Sequence, residues 1–288
     1  MIFSRPAPDV IRERSSWRAY EDRPIAPESR ERLEAAVRNG PATPFGSSVR
    51  IELADVEPPN FLELRKYGTY GIIKGARCYL IGAVTRAEFA MEDFGYSFER
   101  AILHATDLGL RTCWVGGTLN RSSFAERIGA QPDEVVPAIS PVGIGTERRA
   151  LRDVLIRLGA GSHKRQPWEA LFFHTFGSPL TAREAGPYQT PLEMVRLAPS
   201  ASNRQPWRVL RDPNRPVFHF FLQRSRFYHN KLTRIPDVDL QRIDIGIGIC
   251  HFELAAREAG LEGAWERRPP DVSPLPSLTQ YVVSWVGA

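Results

Sequence analysis

Lysine is almost missing from this chain. Only Lys66, Lys74, Lys164 and Lys231 occur in 288 residues, so 34 of the 38 basic side chains are arginine. The arginines alternate with 33 acidic residues and form no basic block, so the net charge of +5 is spread out and no nucleic-acid footprint is expected. Cysteine is scarce too: Cys78, Cys113 and Cys250 are odd in number, far apart and set in apolar surroundings. No CxxC or Cys/His spacing suits a metal, and a disulfide framework is excluded; buried thiols in a reducing compartment are expected. No apolar run approaches the ~20 residues of a membrane span, and the opening Met-Ile-Phe-Ser-Arg-Pro lacks an apolar signal core. A cytoplasmic protein without membrane partners is the expectation. There is no Gly-x-Ser-x-Gly, no Walker-type loop and no HExxH, and the six histidines are dispersed, so neither a triad nor a metal site is supported.

What is present suits a full-sized core: 42% apolar and 25% charged residues, at a length that suggests two domains or one large one. Pro27-Glu28 opens a helix that ends at Asn39-Gly40. Strands are expected at Val49–Leu53 and Arg77–Val84, the second fed by the glycine-rich segment 66–76. A helix over Phe98–Leu110, one over Ser122–Ile128, a strand over Val135–Val142 and a short helix over Trp168–Phe173 follow. Thr181–Thr190 is polar and reads as a linker. Beyond it come a helix-like run at Leu192–Leu197, strands at Arg208–Leu210 and Val217–Gln223, a long helix over Asp239–Leu261 and a closing strand over Leu278–Val286.

Two stretches carry chemistry. In Arg14-Ser-Ser-Trp-Arg18, helical spacing puts Arg14 and Arg18 on one face with the Ser16 hydroxyl beside them. That grouping suits a phosphate through charge-assisted bidentate bonds, or a solvated arginine face. Ala198-Pro-Ser-Ala-Ser-Asn-Arg-Gln-Pro-Trp207 offers Asn203 and Gln205, whose amides each donate and accept and could read an alternating ligand edge. Pro206 biases Gln205 towards an extended backbone. The plainer reading is a helix-to-strand loop over a buried Trp207. Asp244-Ile-Gly246-Ile-Gly248-Ile-Cys-His251 imitates a dinucleotide fingerprint, but His251 stands at the third glycine and no strand-turn precedes it. Small residues for close helix packing at the pseudo-dimer interface are the better reading, with Asp244 and His251 either satisfied polar groups or groups that face a cavity.

Pro-Ser-x-x-Asn-x-Gln-Pro-Trp resembles the flavin-contacting loop of the nitroreductase family of FMN-dependent oxidoreductases, and Arg14-x-Ser16-x-Arg18 resembles that family's flavin-phosphate motif. The resemblance implies that Arg14, Ser16 and Arg18 hold the phosphate and pyrimidine side. It implies that Pro199, Ser200, Ala201, Asn203 and Gln205 approach the ring or ribityl chain. Trp114, Val115, Gly116 and Gly117 would border the reactive face after Gly109-Leu110, and Lys164 and Arg165 would complete the phosphate site. Arg18 would stabilise charge near the flavin N1/O2; no side chain stands out as a catalytic acid or base. In the family the loop lies near the N-terminus, whereas here it falls in the second half.

A degenerate internal repeat resolves that displacement. Leu192-Glu-Met-Val-Arg-Leu-Ala-Pro-Ser aligns with Leu33-Glu-Ala-Ala-Val-Arg-Asn-Gly-Pro, and Gly260-Leu261 matches Gly109-Leu110. The expected organisation is a nitroreductase-like half over 1–180 with the phosphate motif, a linker over 181–190, and a second half over 191–288 with the ring loop. The fold class is α+β, each half a mainly antiparallel sheet flanked by helices, together a pseudo-dimer. One FMN site per chain follows, with no metal and with a monomer as the expected state, since the dimer site is built within one chain. The resemblance implies hydride transfer from NADH or NADPH through FMN to a small acceptor such as a nitroaromatic or quinone. The motifs speak for binding and not turnover, so a flavin-binding protein for storage, sensing or assembly remains open, as does specialised flavin chemistry such as dehalogenation or flavin cleavage.

Overall fold

The computed structural model describes residues 2–55, 73–117, 119–147, 164–225 and 237–288. Most of the glycine-rich segment 66–76, and His163, lie outside the described residues.

Helix α1 (Ala7–Glu13) buries Ala7, Val10 and Ile11 and stops at Arg14, whose φ of −51° and ψ of 124° turn the chain into an extended run. Trp17 N donates to Thr112 O at 2.8 Å and Tyr20 N to Lys74 O at 2.8 Å, so residues 16 to 20 lie as a strand-like edge. This corrects the helical reading of Arg14 to Arg18. The spacing of two arginines fits either geometry, and the backbone partners at Thr112 and Lys74 decide for the extended one.

Helix α2 (Pro27–Arg38) has proline in its first turn and buries Leu33. The first sheet follows: β1 (Val49–Asp55), β2 (Cys78–Thr85), helix α3 (Ala90–Asp107), β3 (Arg111–Thr112), helix α4 (Arg121–Arg127), β4 (Glu134–Val135) and β5 (Ile139–Gly143). Its order is β1-β2-β5-β3, all antiparallel, with β4 also on β2. The single strand expected over Val135–Val142 is broken between β4 and β5. Pro137 stands in the gap and has no N–H for a ladder.

The second sheet takes β6 (Phe172–Thr175), β7 (Ser178–Pro179), β8 (Trp207–Arg211), β9 (Val217–Gln223), β10 (Gly263–Glu266) and β11 (Thr279–Gly287), in the order β10-β11-β9-β8-β6-β7. Helix α5 (Gln189–Leu197) precedes β8, and helix α6 (Leu240–Glu258) joins β9 to β10. The helix expected over Trp168–Phe173 is one 3-10 turn, Trp168–Ala170, running into β6. That strand pairs in parallel with β8, so residues 172–179 belong to the second sheet although they precede residue 180. Ala185 and Tyr188, within the polar stretch 181–190, are buried.

The two sheets share one plan. Apart from β4 in the first and β6 and β7 in the second, each runs strand, strand, long helix, strand, strand, and each returns its last strand between the second and third. The same separation along the chain relates Asp93 to Asp244, Gly95 to Gly246 and Gly109 to Gly260. Both helices end alike: Gly109 (φ 75°) and Gly260 (φ 70°) take the left-handed conformation, and the leucine after each returns its N–H, Leu110 to Ala105 O and Leu261 to Ala256 O, both at 2.9 Å.

Helices α3 and α6 cross at the centre. A Cβ at Gly95 would fall within 3.0 Å of Ile243 O, and one at Gly246 within 3.0 Å of Glu92 O, so the two backbones touch. Gly95 meets the residue three before Gly246, and Gly246 meets the residue three before Gly95, the reciprocal pattern of a two-fold contact. Gly246 of the 244–251 segment therefore serves close helix packing, as expected of that segment's small residues, whereas a Cβ at Gly248 would make only ordinary contacts. No described helix is long and apolar enough to cross a membrane.

Candidate functional site

A buried polar cluster sits beside this crossing. One turn beyond Gly95, Glu99 points at α6, where His251 lies; both are 0% exposed. His251 Nε2 is 3.0 Å from Glu99 Oε1, and His251 Nδ1 is 2.9 Å from the carbonyl oxygen of Met194 in α5. Trp114 Nε1 donates to Glu99 Oε2 at 2.6 Å, and its ring packs on Phe98 with centroids 4.8 Å apart. Arg14 completes the group, its Nε 3.5 Å from Glu99 Oε1 and its side chain 7% exposed. Two sequence-expected residues from separate motifs, Arg14 and Trp114, thus meet on one carboxylate. Sequence reasoning missed Glu99, because its partners come from three other segments and a lone acid in an apolar stripe carries no local signal. His251, expected as a satisfied polar group or one facing a cavity, has a partner on both ring nitrogens.

The second-half loop is built around α5 and β8. Arg165 donates from Nη1 to Asn203 Oδ1 at 3.2 Å and from Nη2 to Leu197 O at 3.0 Å. Asn203 Nδ2 donates to Lys164 O at 2.8 Å, which brings 164–165 and 199–205 together; the Lys164 side chain is exposed. Ser200 Oγ accepts from Gln205 N at 2.8 Å. Gln205 is buried; its Oε1 accepts from Gln166 N at 2.8 Å and its Nε2 donates to Lys164 O at 3.3 Å and Asn203 O at 3.2 Å. Its amide is spent inside the loop, so the expectation that Gln205 reads a ligand gives way to a role in holding the loop. Its backbone differs as well: Gln205 has φ 51°, not the extended form Pro206 favours, because these bonds pin it. Ser202 (φ 49°) and Asn203 (φ 53°) are left-handed too. Three such non-glycine residues within four positions store strain of roughly 1 kcal/mol or more each, and strain of that kind collects at ligand clamps.

Asp244 ties the loop to the helix crossing. Its Oδ1 accepts from Ala201 N at 2.9 Å, while Oδ2 is buried with no hydrogen-bond partner among the described residues. Complete burial pushes the Asp244 carboxyl well above the usual range, and Asp239 adds to the rise. The first half keeps the corresponding contact: Asp93 accepts from Phe45 N at 2.9 Å and Ser47 N at 2.8 Å.

Residues 114–117 follow β3. Val115 pairs with Ile139, and Gly116 packs on Leu240 at the start of α6 while its carbonyl accepts from Arg121. Burial lowers the Arg121 guanidinium from its ordinary range. Gly117 is exposed and half-buried Pro199 joins α5 to the loop. Ser16 and Arg18 stand on the strand-like edge, Ser16 bridged to Thr112 and Arg18 O accepting from Lys74 N at 2.9 Å. Two open clefts, of about 520 and 490 Å³, lie elsewhere, one beside Tyr20, Arg30 and Cys78 and one beside Arg86, Arg224 and Arg242. None of the residues named for the flavin lines either. Burial pushes the Cys78 thiol up to about 12, so it is no nucleophile. Among the described residues no group of three or more His, Cys, Asp or Glu is placed to hold a metal.

The chain's own groups fit an anionic, hydrogen-bonding ligand such as FMN. Arg14 Nη1 is buried and lacks a hydrogen-bond partner among the described residues, a donor left over on the guanidinium that faces Glu99. A buried donor of that kind is costly unless something accepts from it.

A duplicated α+β scaffold, with one basic motif from its first half and one strained amide loop from its second, defines the class. The family model described as "Putative TM nitroreductase" matches residues 8–256. The chain belongs to that nitroreductase family. A Thermotoga maritima chain of the same description shares the fold over 98% of this chain and 94% of its own, at 20% identity and a TM-score of 0.59. An FMN-dependent nitroreductase of Clostridium difficile is 19% identical over 50% of this chain and 91% of its own, TM-score 0.41. A Bacteroides fragilis nitroreductase with bound FMN is 18% identical over 51% and 92%, TM-score 0.40. No curated relative matches.

Proposed function

We propose that the chain is an FMN-dependent oxidoreductase that passes hydride from NADH or NADPH to a small acceptor such as a nitroaromatic or quinone. One observation carries this reading. Arg14 and Trp114 of the first half reach the α3–α6 crossing through Glu99, and the 199–205 loop of the second half reaches it through Asp244. Family membership, and the FMN named for two of the similar structures, support the same cofactor.

Arg14, Ser16, Arg18 and Arg165 would hold the phosphate and pyrimidine side, and Ser200, Ala201 and Asn203 the ring. Trp114 to Gly117 would form the opposite wall. FMN would supply the reactive N5 that accepts and gives up hydride, while the chain supplies placement and fixed charge. The reciprocal glycine contact supports a pseudo-dimer, which would carry one complete site per chain and work as a monomer.

The purified protein should be yellow or take up FMN to about one per chain, and anaerobic NADH or NADPH should bleach it. A protein that cannot take up FMN overturns the proposal, and a ratio near two overturns the single-site assignment. Bound FMN that nicotinamide never reduces leaves binding without turnover as the function.

A further inference from the structure

The Glu99–His251 contact fixes where the protons lie. Met194 O is a carbonyl and only accepts, so His251 Nδ1 at 2.9 Å must donate to it. That oxygen is free of its helix, because Ala198 N at the end of α5 turns back to Val195 O instead. With Nδ1 protonated, His251 Nε2 at 3.0 Å from Glu99 Oε1 needs a second proton between the two atoms. A protonated Oε1 would have only that same Nε2 to donate to, whereas Glu99 is otherwise met by donating and positive groups, Trp114 Nε1 on Oε2 and Arg14 Nε near Oε1, which favour its carboxylate form. The proton therefore belongs on His251 Nε2. The end of α5 adds a negative pole beside the ring, which favours an imidazolium.

We infer that Glu99 and His251 form a buried carboxylate–imidazolium pair whose charges cancel, leaving Arg14 as an uncompensated cation that accepts an anionic group of the flavin. Without the His251 charge, Glu99 would neutralise Arg14 instead. The other charged groups on the packed elements do not alter this. Glu193 and Arg196 of α5 pair with each other, and Arg100 of α3 and Glu253 of α6 are of opposite sign. Burial pushes the Cys250 thiol well above its ordinary range and keeps it neutral. The inference rests on the FMN reading for its ligand, but not for its protons. His251 is a positioning and charge-setting residue and not a catalytic one.

The test has two arms on the full chain. In protein freed of flavin, nitrogen-15 NMR of labelled histidine near neutral pH should show protons on both ring nitrogens of His251. In the second arm FMN, riboflavin and inorganic phosphate are titrated. His251→Gln should raise the FMN dissociation constant at least about tenfold, since it leaves Glu99 facing Arg14. Adding Glu99→Gln should restore it to within about threefold, because the double variant again leaves Arg14 uncompensated. A merely structural role predicts the opposite, a double variant no better than the single one. Loss with FMN and phosphate alone assigns the anion to the phosphate, and equal loss with riboflavin assigns it to the ring edge. A single proton on His251, an unchanged FMN affinity in folded His251→Gln, or no rescue overturns the inference. If His251→Gln does not fold, the NMR result decides. Wild-type protein that takes up no flavin overturns the functional reading and this one together, whereas flavin uptake with a singly protonated His251 overturns this one alone.

Discussion

The α3–α6 crossing allows a sharp test, because three glycines close to it face different surroundings. A Cβ at Gly246 meets Glu92 O and one at Gly95 meets Ile243 O, each at under 3.0 Å, and both obstacles are backbone. A methyl group there forces the helices apart by on the order of 1 Å, forfeiting dispersion contacts along the whole interface. Overpacking of a rigid core costs typically 1–3 kcal/mol, and backbone obstacles put this case at the upper end, about 3 kcal/mol. Alanine's helix propensity returns about 1 kcal/mol, so Gly246→Ala and Gly95→Ala should each lose about 2 kcal/mol. Gly248 is the control: its Cβ would meet Val195 Cγ1 at 3.6 Å, an ordinary contact, so Gly248→Ala should be neutral or up to about 1 kcal/mol stabilising. The double variant Gly95→Ala/Gly246→Ala should lose less than the sum, because helices already displaced by one methyl admit the other. Urea unfolding followed by tryptophan fluorescence measures all four. A Gly246→Ala midpoint at or above wild type would refute the close-contact reasoning, and strict additivity would refute the shared crossing.

Three further outcomes are expected. Asn203→Gly keeps the left-handed turn but releases Arg165 and the Lys164 carbonyl, which the amide holds, and should weaken FMN binding at least about tenfold in a fluorescence titration; Arg14→Ala should do the same through a lost polar contact of roughly 1.5 kcal/mol. Thr43→Ala removes the 2.9 Å bond to Ser47 O in the first-half counterpart loop; it should cost about 1 kcal/mol of stability and leave FMN affinity unchanged, and a loss of FMN would break the one-site assignment. Burial, with help from Arg100, holds the His104 imidazole down at about 4, so the folded state favours its neutral form. Stability from this group is present above pH ~6.5 and is lost as the pH falls from there towards 4, on the order of 2 kcal/mol given partial exposure; His104→Gln should flatten the stability-against-pH curve in that window.

Much of this architecture was legible because its signals are local. The apolar stripes of α3 and α6 and their Gly-Leu stops announce helix and terminus within a few residues, and Gly109 and Gly260 indeed take positive φ. Segments whose conformation is set by distant partners were not legible. Arg14 to Arg18 is extended because Thr112 and Lys74 receive it, and Gln205 is left-handed because Ser200, Lys164 and Gln166 hold it, against the local bias of Pro206. The site followed the same rule. Arg14, Asn203 and Arg165 belong to recognisable motifs, whereas Glu99, on which Arg14, Trp114 and His251 converge, stands in no motif.

Comparing the two halves shows which features the duplication had to keep. The glycine contact is needed on both sides of the crossing, since either methyl alone would part the helices, and both glycines are present. The polar pair carries no such demand. The separation that relates Gly95 to Gly246 also relates Glu99 to Cys250 and Arg100 to His251. Where the first position holds a carboxylate facing an imidazole, its counterpart holds a buried, neutral thiol, and the position that corresponds to the imidazole is Arg100. A symmetric dimer would place the Glu–His pair twice and a basic cradle beside each. Here the pair occurs once, on the side that carries Arg14, and the second half brings a strained loop instead of a second basic motif. Steric constraints at the two-fold contact act on both halves at once, while an electrostatic site is lost from one half without disturbing the other. Such a division would let a fused chain keep a symmetric core while carrying the single asymmetric site proposed above.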